Sequence, residues 1–330
     1  MKPAIVVTGG AGYIGSHTCK ALAQAGYTPV AYDNLSLGDA RFVKWGPLVQ
    51  GDTRDAARVA ATLFEHRAVA VIHFAALSSV GESVSEPGRY YENNLGGLMG
   101  VADGMRSAGC NAIVFSSTAA VYGEPDTSPI PETAPKRPIS PYGWSKRLGE
   151  LMLADLGRQE GLRSISLRYF NAAGADPDGE IGEFRKAETH LIPRALMAIQ
   201  GHVADFQVFG ADFPTQDGTA VRDYVHVTDL AQAHVLALRR VLVRGGTETF
   251  NVGTGAGLSV AQVLAAIQRE TGHDFGAAIG TRRAGDPAIL VADAANALAN
   301  LHFTPLYSDI DCIIRTAWRW HQKAHPKRLV

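Results

Sequence analysis

A glycine-rich turn between a strand pattern and a helix pattern places the strongest constraint on the fold of this chain. The strand pattern is AIVVTGG at 4–10, and the helix pattern that follows, AGYIGSHTCKALAQAG, ends at Gly26. Gly9, Gly12 and Gly15 lie at GxxGxxG spacing. Such glycines permit a tight turn and a close approach of pyrophosphate to the backbone, and the helix N-terminus attracts the anion. The segment predicts a strand–turn–helix unit that binds a dinucleotide.

Further strand patterns alternate with helix-length segments along the first half of the chain. They lie at 28–34, 47–52, 68–76, 111–118 and 162–170. This alternation predicts an α/β fold with a Rossmann-like, doubly wound parallel sheet.

The amino-acid composition changes after Asn171. The segment AAGADPDGEIGEF is rich in Gly, Pro and Asp, which favours a loop that leads away into a second, smaller lobe. The segment HVTDLAQAHVLALRRVL at 226–242 has a strong helical pattern, and we expect this helix to pack back on the first lobe.

Two acidic residues at predicted strand ends indicate the kind of dinucleotide. Asp33 ends the second strand, 18 residues after Gly15, where a carboxylate can accept hydrogen bonds from the adenosine ribose. Its charge would repel a 2′-phosphate, and the residues NLSLG that follow contain no arginine to bind one, so the sequence predicts NAD rather than NADP. Asp52 fits either a contact with the adenine edge or the N-cap of the next helix.

Composition excludes several other classes of protein. With 330 residues, 46% hydrophobic and 19% charged, the chain can bury a large core and form two lobes. A formal net charge of −1 argues against nucleic acid or an anionic membrane as partner. Cys19, Cys110 and Cys312 are too few and too far apart for a disulfide framework or a metal-binding CxxC motif, and no apolar run is long enough to span a membrane. We therefore expect a soluble cytoplasmic protein without a bound metal.

The stretch ISPYGWSKR at 139–147 is the first candidate for chemistry. Ser140 suits an N-cap and Pro141 suits the first helical position. Tyr142 and Lys146 are then four residues apart on one helix face, where a cation would lower the phenol pKa from about 10 and make a base usable at neutral pH. Spacing alone is more typical of an amphipathic tyrosine beside a solvated lysine, so the functional interpretation depends on the rest of the chain.

Ten segments along the chain resemble the extended short-chain dehydrogenase/reductase family. They are TGGAGYIGSHT, VIHFAAL, VGESV, YYENN, VFSSTAAVYG, SPYGWSK, LRYFNAAGA, ETHLIP, DGTAVRDYVHVTDLA and RRAGDPA. The resemblance covers essentially the whole chain and implies two lobes. An NAD-binding lobe would comprise 1–171 and about 222–244, and a UDP-sugar-binding lobe would comprise 172–221 and 245–330.

The resemblance also implies an isomerase reaction, the inversion of C4 in a UDP-hexose such as UDP-glucose or UDP-galactose. Tyr142 as a phenolate would take the proton of the sugar 4-hydroxyl while NAD accepts the C4 hydride, which then returns to the opposite face of a 4-keto intermediate. Lys146 would lower the phenol pKa, and the Thr118 hydroxyl would hydrogen-bond the reacting oxygen. The family's usual assembly is a homodimer, here joined through helices near 88–108 and 142–158.

Other positions match ligand-lining positions of the family, and their roles are implied by the resemblance alone. Besides the three glycines and Asp33, the positions implied to line NAD are Tyr13, Ile14, Asn34, Leu35, Ser36, Asp52, Thr53, Phe74, Ala75, Ala76, Leu77, Asn93, Tyr142, Lys146 and Phe170. The positions implied to line the UDP-sugar, with the two arginines on the pyrophosphate, are Thr118, Asn171, His190, Leu191, Gln207, Val208, Phe209, Arg222, Arg283, Asp286 and Leu290. In contrast, we expect His73 and His226 to be core or strand histidines rather than bases.

The choice of sugar stays open. His190 stands where many relatives carry Asn, and Leu290 stands where some members have a bulky tyrosine against the C2 substituent of the sugar. A 4-epimerase of UDP-xylose and UDP-arabinose is the main alternative, because pentose and hexose differ only at C6 and missing contacts there cost little discrimination.

Two other functions are less favoured. A sugar nucleotide 4,6-dehydratase needs an acid and a base for the elimination of water, and Ala119 and Ala120 stand at those positions. A non-catalytic NAD-sensing regulator would not need the intact set of Thr118, Tyr142 and Lys146.

Overall fold

Strands and helices alternate along most of the chain, of which the computed structural model describes residues 2–185, 187–274, 276–282 and 286–326. In these residues the strands are β1 (Ala4–Thr8), β2 (Thr28–Asp33), β3 (Leu48–Gln50), β4 (Ala68–His73), β5 (Ala112–Thr118), β6 (Arg163–Tyr169), β7 (Asn171–Ala173), β8 (Gln207–Phe209), β9 (Val221–His226), β10 (Thr247–Val252), β11 (Gly257–Ser259), β12 (Ala278–Gly280) and β13 (Ile289–Leu290). The helices are α1 (Tyr13–Gln24), α2 (Ala56–Glu65), α3 (Val80–Ser85), α4 (Pro87–Tyr90), α5 (Gly97–Ala108), α6 (Pro141–Glu160), α7 (Leu191–Ile199), α8 (Val227–Val243), α9 (Val260–Thr271) and α10 (Ile310–Ala324). A π-helical turn, Tyr91–Gly96, joins α4 to α5. None of the helices in the described ranges has the length and apolarity needed to cross a membrane.

A seven-stranded parallel sheet confirms the predicted fold class. Its strand order is β10-β6-β5-β4-β1-β2-β3, and it contains all six predicted strands. The chain winds outward from β1 to β3 and then adds β4, β5, β6 and β10 on the other side of β1. Ligands of open α/β sheets bind at the carboxyl ends of the strands next to such a switch in strand order, here between β1 and β4.

Apolar side chains fill a core on each face of this sheet. On β1, Ile5 and Val7 face a core shared with α1 and α8, whereas Val6 faces a core shared with α2, α5 and α6. Strand side chains point to alternate faces, so a strand covered by helices on both faces has a continuous apolar sequence.

The segment after α7 contains both a confirmed and a missed prediction. The helix predicted at 226–242 is α8, which packs on α1 as expected. The sequence pattern does not predict the next strand, β10, which extends the large sheet beyond the 222–244 segment assigned to the first lobe. β10 is an edge strand whose first three residues are exposed or half-buried, so its sequence TETFNV lacks an apolar run. The other limits of the two lobes stay predictions.

Strand β9 is the centre of a smaller, four-stranded sheet. It pairs antiparallel with β11 and parallel with β7 and β13. The register sets Leu290 opposite Arg222 and Asn171 opposite Tyr224. Helices α7, α9 and α10 enclose an apolar core beside this sheet. The pairing therefore brings three predicted substrate residues together from distant parts of the sequence.

Candidate active site

The carboxyl edge of the large sheet gathers the residues predicted to hold a dinucleotide. The glycine turn follows β1, residues 33–36 lie at the end of β2, residues 52–53 follow β3, and residues 74–77 follow β4. Thr118 ends β5, and Phe170 follows β6. Parallel strands end at a common edge, so the fold forms one crevice from these separate segments.

The glycine turn has no room for side chains. Gly9 has a φ of 71°, and a Cβ there would lie 2.8 Å from the backbone nitrogen of Ala75. A Cβ on Gly15 would lie 2.1 Å from the carbonyl oxygen of Gly9. Gly12 is the N-cap of α1 and offers no side-chain acceptor to the first N–H groups of the helix. These groups are available to an anion, which is how a cradle for a pyrophosphate is built.

The Asp33 carboxylate connects the glycine turn to the end of β2. One oxygen accepts a hydrogen bond from the Ala11 N–H at 3.0 Å, and the other accepts one from the Leu35 N–H at 2.8 Å. Burial raises the pKa of Asp33, and these two hydrogen bonds act in the opposite direction. A carboxylate has about four lone-pair directions, so acceptor capacity is left for a ribose hydroxyl.

Asp52 is not an N-cap, so one of its two predicted roles is wrong. The N-cap of α2 is Asp55, which accepts a hydrogen bond from the Arg58 N–H at 3.0 Å. The Asp52 carboxylate instead accepts hydrogen bonds from the Arg54 guanidinium at 2.8 and 2.9 Å and from Asn34 at 3.3 Å. The guanidinium lowers the pKa of Asp52. The adenine-edge contact remains a prediction.

Helix α6 begins as predicted and buries its candidate catalytic pair. The Ser140 hydroxyl accepts a hydrogen bond from the Gly143 N–H at 3.2 Å, with Pro141 as the first helical residue. Tyr142 is 7% exposed and Lys146 is 4% exposed. The interpretation of Lys146 as a solvated surface lysine is therefore wrong.

The electrostatics of this pair differ from the prediction. Burial raises the pKa of Tyr142, and a hydrogen bond with Thr118 and the charge of Arg185 lower it only in part. Burial also lowers the pKa of Lys146 to about 7, and the charge of Glu150 opposes this shift. The Lys146 ammonium donates a hydrogen bond to the Ser116 carbonyl at 2.9 Å. In the protein alone the net pKa of the phenol is therefore raised rather than lowered, and the lowering by Lys146 together with bound NAD stays a prediction.

Asn94 is a site residue that the sequence pattern does not identify. Its side chain accepts from the Leu77 N–H at 2.8 Å and donates to the Leu77 carbonyl and to the Ser145 hydroxyl, both at 3.0 Å. It therefore fixes the segment after β4 to the first turn of α6. Asn93, which the family resemblance selects, donates to Asn94 at 3.0 Å. Both lie in the π-helical turn, a feature frequent at functional sites.

Helix α1 also holds the segment that leads away from the large sheet. The Tyr13 hydroxyl donates to the Gly174 carbonyl at 2.5 Å. The buried Lys20 ammonium contacts Asp176 at 2.8 Å and both Asp178 and Glu180 at 2.7 Å. These carboxylates raise the pKa of Lys20 against the effect of burial. The loop is thus anchored beside the glycine turn by an ion cluster.

His190 belongs to a charged cluster on the substrate side. Its Nδ1 lies 2.9 Å from the Glu183 carboxylate and 3.1 Å from that of Glu188, and Arg185 donates to Glu183 at 2.8 Å. Burial would lower the pKa of His190, but the two carboxylates raise it to about 9. His190 is thus a cation held by anions. It lines a cavity with Asn171 and other residues, namely Ala172, Ala173, Gly174, Glu183, Leu191, Ile192, Pro193, Tyr224, Ala317, Trp320 and His321.

Arg222 and Leu290 lie opposite each other on the paired strands β9 and β13 of the smaller sheet. Arg222 forms an ion pair with Asp286, so two predicted substrate residues contact each other. Leu290, opposite Arg222, packs against an apolar cluster that contains Ala119, the residue after Thr118, and Phe170 packs against the same cluster. Arg283 lies outside the described residues.

The segment 207–209 lies on a different element. It forms β8, which pairs with β12 in a two-stranded sheet. Val208 is buried in the apolar core of the smaller lobe, whereas Gln207 and Phe209 are exposed.

The two histidines expected to be structural are buried. His73 hydrogen-bonds Thr8 at 2.8 Å, and burial lowers its pKa to about 3. His226 hydrogen-bonds Thr316 at 3.0 Å, and burial lowers its pKa to about 4. Neutral, buried rings of this kind fit the structural role.

A Rossmann-type sheet with a glycine cradle and a buried tyrosine–lysine pair at its carboxyl edge defines a class of nicotinamide-dependent enzymes. Within that class, residues 5–253 match the model of the NAD dependent epimerase/dehydratase family, and the chain belongs to this family.

Relatives that match this chain over nearly their full length have a more specific function than the family as a whole. UDP-glucose 4-epimerases from Rhizobium leguminosarum bv. trifolii and Lacticaseibacillus casei are 49% and 45% identical to this chain, over 97% and 98% of it and 98% of each relative. The crystal structure of UDP-glucose 4-epimerase from Brucella ovis in complex with NAD superposes with a TM-score of 0.94 at 51% identity, covering 96% of this chain and 97% of that one. The enzyme from Stenotrophomonas maltophila, with bound NAD and formylated UDP-arabinopyranose, has a TM-score of 0.95 at 41% identity, covering 98% of both chains.

Proposed function

We propose that this chain is an NAD-dependent isomerase that inverts C4 of a UDP-hexose and so interconverts UDP-glucose and UDP-galactose. The observation that carries the proposal is the burial of Tyr142 and Lys146 beside Thr118, at the sheet edge that also bears the glycine cradle. The relatives described above support it over nearly the full length of the chain.

The residues present fit NAD. The glycine cradle and the N-terminus of α1 would hold the pyrophosphate, and Asp33 would accept from the adenosine ribose while disfavouring a 2′-phosphate. Bound oxidised NAD supplies a hydride acceptor and a positive charge near the phenol. The remaining NAD-lining positions are proposed with these.

Tyr142 would remove the proton of the sugar 4-hydroxyl and return it after the hydride has come back to the other face. Thr118 would hydrogen-bond the reacting oxygen, and its hydrogen bond with Tyr142 already favours the phenolate. Since burial raises the pKa of Tyr142, the protein groups leave the base incomplete until more positive charge is present.

The UDP-sugar would lie against the smaller sheet. Arg222 and Arg283 are proposed to bind the pyrophosphate, and the contact of Arg222 with Asp286 would orient its guanidinium. Asn171, His190 and Leu290 are proposed to face the sugar, and residues 207–209 are proposed to face the uridine.

A homodimer and a cytoplasmic location belong to the same proposal. Met99 of α5 and Trp144 and Leu151 of α6 are 52%, 41% and 42% exposed, which supports an apolar contact surface on these helices. Buried free thiols at Cys19 and Cys110 agree with a reducing compartment.

A turnover assay tests the proposal. Purified protein with NAD would be given UDP-galactose, UDP-xylose and UDP-N-acetylgalactosamine separately, and the products would be separated by chromatography. We expect UDP-galactose to be the best substrate. The formylated UDP-arabinopyranose in one related structure favours the pentose as second candidate, and faster turnover of UDP-xylose would select it. Loss of water from the sugar would indicate a dehydratase, and no turnover of any UDP-sugar would favour an NAD-binding regulator.

A further inference from the structure

A buried charge network lies directly behind the candidate catalytic residues. Glu150 and Arg168, whose side chains are both 4% exposed, form two parallel hydrogen bonds of 2.7 Å. The Ser117 hydroxyl donates to the same carboxylate at 2.6 Å, and Arg147 donates to it at 3.2 Å. Arg168 also donates to the Tyr122 hydroxyl at 2.9 Å. One carboxylate thus joins α6 to both β5 and β6 in bidentate, charge-assisted geometry.

The network lies close along the chain to the candidate catalytic residues of α6 and β5. Glu150 lies one turn after Lys146 on α6, so the two side chains share a helix face. Ser117 precedes Thr118 on β5. Arg168 on β6 lies opposite Ser117 in the register of these two strands. A shift of Glu150 would therefore move the Tyr142–Lys146 face relative to Thr118.

Among the charged and titratable groups near Lys146, Glu150 is the one whose charge raises the pKa of the lysine. On β4, His73 has its pKa lowered to about 3 by burial and is neutral. Tyr142 on α6 and Tyr169 on β6 have raised pKa values and are also neutral. Arg168 of β6 is engaged by Glu150. Burial lowers the pKa of Lys146 to about 7, and the charge of Glu150 raises it.

We propose that Glu150 is a positioning residue for the epimerisation: held by Arg168 and Ser117, it fixes α6 so that Tyr142 faces Thr118, and its negative charge stabilises the ammonium of Lys146. The proposal rests on the proposed function. Glu150 touches no reacting atom and acts through Lys146 and the helix.

The test compares Glu150→Gln with a matched control, Glu248→Gln. Glu248 forms an equally bidentate pair with Arg240, at 2.5 and 2.6 Å, between α8 and β10. For each variant we would measure thermal unfolding, kcat and KM across pH, and titration of Lys146 by NMR of the 13C-lysine-labelled holoenzyme, with the signal assigned from Lys146→Arg.

In Glu150→Gln the ammonium loses its nearby anion, so Lys146 should lose its proton at lower pH. We expect the titration midpoint of Lys146 and the alkaline limb of the kcat profile to move to lower pH by about half a unit or more. We also expect kcat to fall roughly tenfold, with KM nearly unchanged. Glu150→Asp should restore the midpoint but not the full kcat, because its shorter side chain keeps the charge and loses the geometry. Glu248→Gln should lose stability without changing either midpoint.

An unchanged Lys146 midpoint in Glu150→Gln would overturn the proposal. If that variant does not fold because Arg168 is left buried and unpaired, the Lys146 midpoint of Glu150→Gln/Arg168→Met is compared with that of Arg168→Met, because these two proteins differ only in the charge at position 150. The NMR titration needs no turnover. A wild-type protein that fails to epimerise UDP-galactose would therefore overturn the proposed function while the role of Glu150 is still tested.

Discussion

Single side chains at the site acquire their chemistry from burial. Tyr142 and Lys146 would be an ordinary pair on a solvated helix, yet both are buried, and desolvation moves their pKa values in opposite directions. The lysine becomes easier to deprotonate and the tyrosine harder. A base at this position therefore depends on added positive charge and on the Thr118 hydrogen bond.

Tyr142→Phe should retain the fold and bound NAD and lose epimerisation by several orders of magnitude, because only the proton acceptor is removed; general acid–base catalysis contributes roughly 10²–10⁴-fold. The measurements are kcat with UDP-galactose, NAD content and thermal unfolding. Tyr307→Phe, at an exposed tyrosine, is the control and should behave as wild type. More than a tenth of normal turnover in Tyr142→Phe would refute the assignment.

The residue at 290 is expected to influence the sugar's 2-substituent. Leu290 packs against the apolar cluster that contains Ala119 and leaves more room than a tyrosine, so an N-acetyl group is permitted by volume. Leucine offers no hydrogen bond, and each unmet polar group costs about 1–3 kcal/mol, so turnover of UDP-N-acetylglucosamine should be measurable but secondary.

Leu290→Tyr should then suppress turnover of the N-acetyl sugar far more than that of the hexose, as judged by kcat/KM for both. The matched control is Ile289→Tyr, since neighbouring strand residues point to opposite faces and Ile289 is 37% exposed. Equal losses of kcat/KM on both substrates would mean that this residue does not select the 2-substituent of the sugar.

At the scale of elements, close contacts between backbone segments set the shape of the proposed cofactor site. The glycine turn, the segment after β4 and the start of α6 are held within contact of one another, by Gly9 against Ala75 and by the hydrogen bonds of Asn94. The sequence predicts the glycine turn itself but not its contact with Ala75. It also does not predict the hydrogen bonds of Asn94, because Asn94 reaches its partners from a π-helical turn whose side-chain directions differ from those of an α-helix.

Gly15→Ala should weaken NAD binding, because the added Cβ would lie 2.1 Å from the Gly9 carbonyl oxygen and the turn must move. Overpacking of this kind costs about 1–3 kcal/mol, or roughly five- to 150-fold in Kd. Calorimetric titration of the NAD-free protein measures it. Gly81→Ala, in a helix with open space around its Cβ, should leave Kd unchanged. An unchanged Kd in Gly15→Ala would contradict the cradle.

At the scale of the whole molecule, the seven-stranded sheet and the four-stranded sheet both contribute residues to one proposed site. The large sheet contributes the cofactor edge, and the smaller sheet contributes Asn171, Arg222 and Leu290 through the register of β7, β9 and β13. Contacts from Tyr13 and Lys20 to the loop after Asn171 connect the two. The exposed apolar residues of α5 and α6 support the proposed homodimer.

A homodimer through these helices predicts that Leu151→Glu lowers the mass in solution. Trp144 and Leu151 are seven residues apart and share a helix face, so a buried charge there would be unpaired in the interface. Light scattering at micromolar protein should give twice the chain mass for wild type and a shift towards the monomer for Leu151→Glu. Val243→Glu, at a residue 82% exposed on α8, is the control. A monomeric wild type would contradict the prediction.

The sequence by itself determined the fold class, six strands of the large sheet, the glycine turn and the start of α6, because each depends on local periodicity, capping or backbone freedom. It did not determine β10, whose polar edge sequence becomes a strand only by pairing with β6. Nor did it determine the burial of Lys146, the pairing of Arg222 with Asp286 or the enclosure of Glu150. Desolvation and ion pairing depend on atoms that distant segments bring together, so only the tertiary structure decides which charges are stabilised and which pKa values move.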